Sequence, residues 1–201
     1  MHEGPLISDI LADLPHRLSG NVTIGDVIAA LGGRAPGIMV AAVSIPAIVP
    51  TPGIPAGMVF GAILSILATQ MTLGKPRILM PAWIARRTIS PHVLESLASH
   101  GSKLLRRVER QITPRLTHCT GQKALRWLGP VLVLLGILIA LPIPFGNTLP
   151  GLGALLIGLG AANRDGYLVI GGTVLGVLGG IVSAGLVYGG WRLVGTAMGY
   201  P

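Results

Sequence analysis

The chain has 201 residues, of which 51% are hydrophobic, 11% charged and 4% aromatic, with 30 glycines and a formal net charge of +8. A soluble domain carries about a quarter charged residues, so this composition excludes an ordinary soluble globular protein. It describes a membrane protein whose helices pack closely through glycine, and its single cysteine, Cys119, excludes an internal disulfide or a cysteine-cluster metal site.

The first segment, residues 1–33, has no basic stretch followed by an apolar core, so no cleavable signal peptide is expected. Ile7, Ile10, Leu11, Leu14 and Leu18 recur at helical spacing, with Asp9 and Asp13 on the other side. This predicts an amphipathic helix, lying on the cytoplasmic interface or packed on the membrane domain. Thr23 and Asp26 form a capping-box start and Gly32-Gly33 a stop, giving a short helix over Ile24 to Leu31.

From Ala35 to Leu73 no charge appears. Two apolar runs, Gly37 to Val49 and Gly57 to Leu73, flank the proline-rich V-P-T-P-G-I-P-A. The thirteen residues of the first run reach only about 20 Å as a helix, against a hydrocarbon core of about 30 Å. Residues 34–74 therefore read as a proline-broken hairpin, re-entrant or tightly two-span. Gln70 lies near its inner end.

Residues 75–125 form a basic linker. Eleven of the fifteen Lys and Arg lie between Lys75 and Arg126, against Glu95 and Glu109 alone. The positive-inside rule places this segment in the cytoplasm. Trp83 beside Arg86 and Arg87 reads as an interface anchor. Ser90-Pro91 opens a helix whose apolar side includes Val93, Leu94, Leu97, Leu104, Leu105, Val108 and Ile112. Gly101 is placed to kink it and Pro114 to end it. The cations of this helix suit anionic lipid headgroups. They lack the interleaved aromatics of a nucleic-acid surface, so no nucleic-acid partner is expected.

Residues 126–166 repeat the earlier design. No charge appears from Trp127 to Asn163, and P-I-P-F-G-N-T-L-P-G breaks the run. Each proline removes a backbone donor and clashes with the preceding turn. In lipid such a break is tolerated only where freed carbonyls are buried in protein or line a wet cavity. A shift of 92 positions superposes Arg34 on Arg126, Gly37 on Gly129, Pro50 on Pro142 and Pro52 on Pro144. It also brings Gly61 onto Gly153, Ala62 onto Ala154 and Gly74 onto Gly166. Seven identities without a gap predict an internal repeat. Arg164-Asp165-Gly166 then makes a polar turn.

Residues 167–201 hold one long apolar span, Tyr167 to Trp191, with Gly172, Gly176 and Gly180 at four-residue spacing. This spacing predicts a homodimer through that helix.

No enzyme motif is present. There is no G-x-S-x-G, P-loop or H-E-x-x-H, and the five histidines have no ligand spacing. Neither a catalytic residue, a metal nor a cofactor is expected. The chemistry rests on the two breaks, where Asn147, Thr148 and Thr51 offer side-chain donors and acceptors. Pro50, Pro52, Pro142 and Pro144 free carbonyls there, and helices starting after Pro55 and Pro150 direct positive dipole ends at the same region. Arg34, Arg126, Gln70, Arg164 and Asp165 form the polar, cytoplasmic end.

L-G-x-R-x-x-G at Leu31–Gly37, the P-T-P-G break, L-A-T-Q-M-x-x-G at Leu67–Gly74 and P-x-W at Pro81–Trp83 run through the first half. Pro114-Arg115-Leu116, P-I-P-F-G-N-T-L-P and Arg164-Asp165-Gly166 complete the set. Together they resemble the ExoD family of bacterial exopolysaccharide-synthesis membrane proteins, over almost the whole chain. The resemblance implies an inner-membrane, multi-pass protein linked to exopolysaccharide production, and it supplies no catalytic residues. The expected fold is an all-α integral membrane protein: two repeated proline-broken, re-entrant-like hairpins, a Gly-rich C-terminal transmembrane helix and cytoplasmic amphipathic helices. The expected function is a transporter- or channel-like pocket at the two helix breaks. The alternative is a non-catalytic scaffold or regulator of a polysaccharide synthesis or export complex, with such proteins as partners.

Overall fold

The computed structural model describes residues 6–18, 21–48, 56–74, 80–110, 112–141 and 146–197. These residues form helices and no strands. In chain order the helices are α1 (Ile7–Arg17), α2 (Ile24–Leu31), α3 (Ala35–Ile48), α4 (Ala56–Thr72) and α5 (Ala82–Ala85). Then follow α6 (Pro91–Ser96), α7 (Ser102–Glu109), α8 (Gln122–Ala140), α9 (Thr148–Asn163) and α10 (Gly166–Ala197).

Local chemistry sets several of these ends. The Thr23 hydroxyl accepts from Asp26 N–H while the Asp26 carboxylate accepts from Thr23 N–H, so the capping box forms at the expected place. Gly32 ends α2 with φ of 55°, a left-handed geometry that glycine adopts without strain. Ser90 caps α6 through Val93 N–H with Pro91 in the first turn. The expected kink near Gly101 is a π-helical turn over Leu97–Gly101 that joins α6 to α7. The basic helix ends at Glu109, before Pro114. Likewise α9 begins at Thr148 rather than after Pro150. Pro150 sits in its first turn, where the missing donor costs nothing.

Four apolar helices make a ring in which neighbours run antiparallel. α3 lies on α9: Gly37 meets Gly158 and Ala162, Gly158 meets Ala41, and Gly151 meets Ile48. α4 lies on α8 in the same manner: Gly129 meets Ala68 and Thr72, Gly136 meets Gly61 and Ser65, and Gly61 meets Ala140. A Cβ at Gly37 would stand 2.5 Å from Ala162 N, so this backbone approach requires glycine. α10 runs antiparallel to α9, with Val169 at Gly160, Gly172 and Gly176 at Gly153, and Gly179 at Pro150. α3, α8 and α10 therefore point one way, and α4 and α9 the other.

Corresponding contacts recur at two offsets. In the first arms they are 92 residues apart: Gly37 and Gly129 face the outer arm of the other hairpin, and Val40 and Leu132 are both 0% exposed. In the second arms they are 90 apart: Gly61 corresponds to Gly151, Ala68 to Gly158, and Leu64 to Ala154, the last two both 0% exposed. Gly74 and Arg164, also 90 apart, both end their helices with a left-handed φ, 64° and 57°. The sequence alignment at a constant 92 pairs Gly61 with Gly153. In the structure Gly153 faces α10 instead.

The core of the ring is Val40, Ala47, Leu64, Ala68, Leu132, Leu135, Ile139, Ala154 and Ile157. The outside is apolar too. Ile45, Met58, Val59, Ile63, Ile66, Leu134, Ile137, Val174, Leu178 and Ile181 are all exposed. A surface of this kind suits lipid. Three helical stretches are long and apolar enough to cross a membrane, Ile24–Ile48, Lys123–Ala140 and Gly166–Arg192, and Ala56–Thr72 and Thr148–Asn163 are shorter apolar helices. The chain is thus a helical membrane protein.

The remaining helices cap the end of the ring where α3 and α8 begin. α1 inserts Ile7 and Ile10 against Leu31, Ala35 and Ala162. Its next turn, at Leu14, packs on Val22 and Leu94. Of the two expectations for this amphipathic helix, packing on the membrane domain is the one realised.

Candidate functional site

At the far end of the ring, beside the two breaks, the site centres on Asn147. Asn147 sits at the N-cap of α9, a position where its side chain ordinarily accepts from the first-turn amides. Here it makes no such cap bond. Its carbonyl accepts from Gly151 N–H at 2.9 Å and starts the helix, while the side chain turns into the ring. A Cβ on Gly57 would stand 2.3 Å from Asn147 Nδ2 and 2.8 Å from Ile139 O. The amide therefore occupies the space that Gly57 leaves. Asn147 Oδ1 is fully buried and accepts no hydrogen bond from the described residues. An unpaired buried acceptor costs about 1–3 kcal/mol.

Ser183 of α10 is 1% exposed and donates to Gly146 O at 3.2 Å, tying the turn before α9 to α10. Thr148 is the half-buried first residue of α9. Contacts that join the hairpins at this end include Asn147 on Gly57, Ile139 on Gly57, Ala140 on Gly61 and Gly151 on Ile48. Thr51, Pro50, Pro52, Pro142 and Pro144, the other residues expected here, lie outside the described residues.

The opposite end gathers the charged residues. The Arg126 guanidinium packs against left-handed Gly74. Arg34 lies within electrostatic range of Arg164 and Glu109. Arg164 is the left-handed cap of α9. Asp165 is 4% exposed and accepts from Tyr167 N–H at 2.9 Å and Leu168 N–H at 3.3 Å, capping α10. Gly166 N–H donates to Arg115 O at 2.7 Å. The P-R-L and R-D-G motifs, distant in sequence, thus meet in one contact. Gln70 lies at the inner end of α4. These residues build and terminate helices, and they stand at the other end of the ring from Asn147.

Three participants escaped the sequence. Glu109 reads there as one of two acids in a basic linker. In the structure it is 6% exposed and accepts from Ile7 N–H at 2.8 Å, from Ser8 N–H and from the Ser8 hydroxyl. It caps the positive end of α1 from 102 residues away. Gly57 is one glycine among many, and Ser183 one hydroxyl in a long apolar helix; neither carries a local signal. Gly172, Gly176 and Gly180, the glycines expected at a dimer seam, make contacts within the chain. Gly172 faces α9, Gly176 faces Leu135 of α8, and Gly180 faces Leu138 of α8, all in the same chain.

Among the described residues no group of His, Cys, Asp or Glu could hold a metal ion. The family described as "Exopolysaccharide synthesis, ExoD" matches residues 7–185. A protein of Rhizobium meliloti named "Protein ExoD" is 31% identical over 173 residues, covering 83% of this chain and 71% of the relative. An uncharacterized protein of Synechocystis is 25% identical over 168 residues, covering 83% of this chain and 79% of the relative. No solved structure matches the chain.

Proposed function

The chain belongs to the ExoD family, and from that premise we propose that it supports exopolysaccharide synthesis from the bacterial inner membrane through a non-catalytic binding site at Asn147. The observation that carries this is the buried, unpartnered Oδ1 of Asn147. A membrane helix bundle gains nothing in stability from such a group, so its presence favours a ligand that donates to it. The two hairpins are read as copies of one unit about a pseudo-twofold axis running along the bundle. The matching contacts at offsets 92 and 90 support this. Gly57 and Asn147 are then equivalent positions that touch, which places the amide on the axis.

Since α3 and α8 run the same way, both breaks address one side of the membrane. No charged residue lies in residues 35–73 or 127–163, which favours facilitated passage or binding over ion-coupled transport. A scaffold reading draws on a different observation: Lys103, Arg106, Arg107 and Arg110 are exposed on the basic layer, beside which an acidic partner or anionic headgroups would dock.

Complementation separates the two. In a host lacking its own copy, Asn147→Leu should lose exopolysaccharide while the paired change Lys103→Gln and Arg107→Gln retains it. The reverse outcome assigns the function to the basic layer.

A further inference from the structure

Resting on that reading, we infer that the Asn147 site takes the uncharged, hydroxyl-bearing headgroup of a membrane amphiphile, which reaches it sideways from the lipid of the non-cytoplasmic leaflet. Three observations converge on this ligand class.

The first is the chemistry of the site. Asn147 Oδ1 is an acceptor without a donor, so the ligand must bring an N–H or O–H. The charge-free stretches around it provide no counter-ion for a charged headgroup. A phosphate or ammonium placed there would be desolvated without compensation. A hydroxyl is neutral and donates, and it needs only the acceptor that is waiting.

The second is depth. α10 has 32 residues, about 48 Å of helix, whereas α4 has 17 and α9 has 16, about 24–26 Å each. The hairpin arms start level with α10, since Gly160 meets Val169, and they finish near Ser183, which binds Gly146. Beyond Ser183, α10 continues for roughly 20 Å past the ends of the other described helices. A hydrocarbon core of about 30 Å is thicker than α4 and α9 are long and thinner than α10. Asn147, at the end of α9, therefore lies below the far surface, at the depth of lipid tails.

The third is the free half of α10. Among the described residues nothing approaches a Cβ placed at Gly185, Gly189 or Gly190 within 4 Å, and Leu186, Val187 and Tyr188 are 49%, 53% and 66% exposed. This bare apolar helix stands directly over the Ser183–Gly146 contact. An apolar chain lying along it places a headgroup at Asn147, whereas a water-soluble sugar has no such guide.

The test uses the full chain in phosphatidylcholine nanodiscs doped with monoglucosyldiacylglycerol, read by the thermal unfolding midpoint. The wild type should show a saturable rise of roughly 3–8 °C over phosphatidylcholine alone. Asn147→Leu should show none, and diacylglycerol without sugar should give none. Equal stabilisation by soluble maltose overturns entry from lipid, and equal stabilisation by phosphatidylglycerol overturns the uncharged headgroup. No glycolipid effect on the wild type overturns the inference outright, and requires no variant to fold. If that happens while Asn147→Leu still abolishes exopolysaccharide in cells, the ligand class is wrong and the site stands.

Discussion

Asn147 fills the space at Gly57: a methyl group on Gly57 would stand 2.3 Å from the Asn147 amide nitrogen. The two residues lie on different hairpins, and the contact between them sets a polar side chain inside an apolar ring. Gly57→Ala should therefore displace the amide. Overpacking of this kind costs about 1–3 kcal/mol, with a lower unfolding midpoint. Exopolysaccharide output should fall even at temperatures where the variant remains folded. A variant with a wild-type midpoint and wild-type output would show that the amide is free to move.

Glu109 holds α1 on the bundle. Hydrogen bonds to a buried charged group are worth about 1.5–3 kcal/mol each and their loss leaves amides unpaired. Glu109→Ala should release α1, detected as rapid proteolysis near Arg17 under conditions that leave the wild type intact. Glu109→Gln retains an acceptor and should lie between the two. Equal protease resistance in all three would mean that Ile7 and Ile10 alone seat the helix.

The basic layer should face the cytoplasm, by the distribution of cations. A cysteine at exposed Ser96 should resist an impermeant thiol reagent outside intact cells and react after permeabilisation. Ser102 is 6% exposed and is a poor reporter. Labelling at Ser96 in intact cells would invert the topology.

Gly172 and Gly176 pack within one chain, so Leu at either position should abolish folding rather than dissociate an oligomer. The Cβ of residue 172 would stand 2.7 Å from Ile157 N and Gly153 O. Gly185→Leu, in open space, should fold normally. Detergent-stable, monodisperse Gly172→Leu protein would contradict the α9–α10 packing.

Much of this architecture is readable from residue order because the signals are local. The capping box at Thr23 and Asp26, the start at Ser90-Pro91 and the polar turn at Arg164-Asp165-Gly166 depend on neighbours a few positions away. What residue order hides is tertiary. That Gly61 faces α8, Gly151 faces α3 and Gly153 faces α10 emerges only in the fold, since Gly151 and Gly153 are equally good glycine matches in sequence. Glu109 is legible as a helix cap only once Ile7 is beside it. Asn147 stands out in sequence as the polar residue in a broken apolar run, but its orphaned oxygen and its place against Gly57, which no pattern links to it, show only in the fold.

The most direct measurement pairs two readouts on Asn147→Leu in a host without its own copy: unfolding midpoint of the purified protein and exopolysaccharide released per folded molecule. Removing an unpaired buried acceptor should leave the midpoint unchanged or raise the stability by about 1–2 kcal/mol, while polysaccharide output is lost. A stable variant with undiminished polysaccharide would contradict the account.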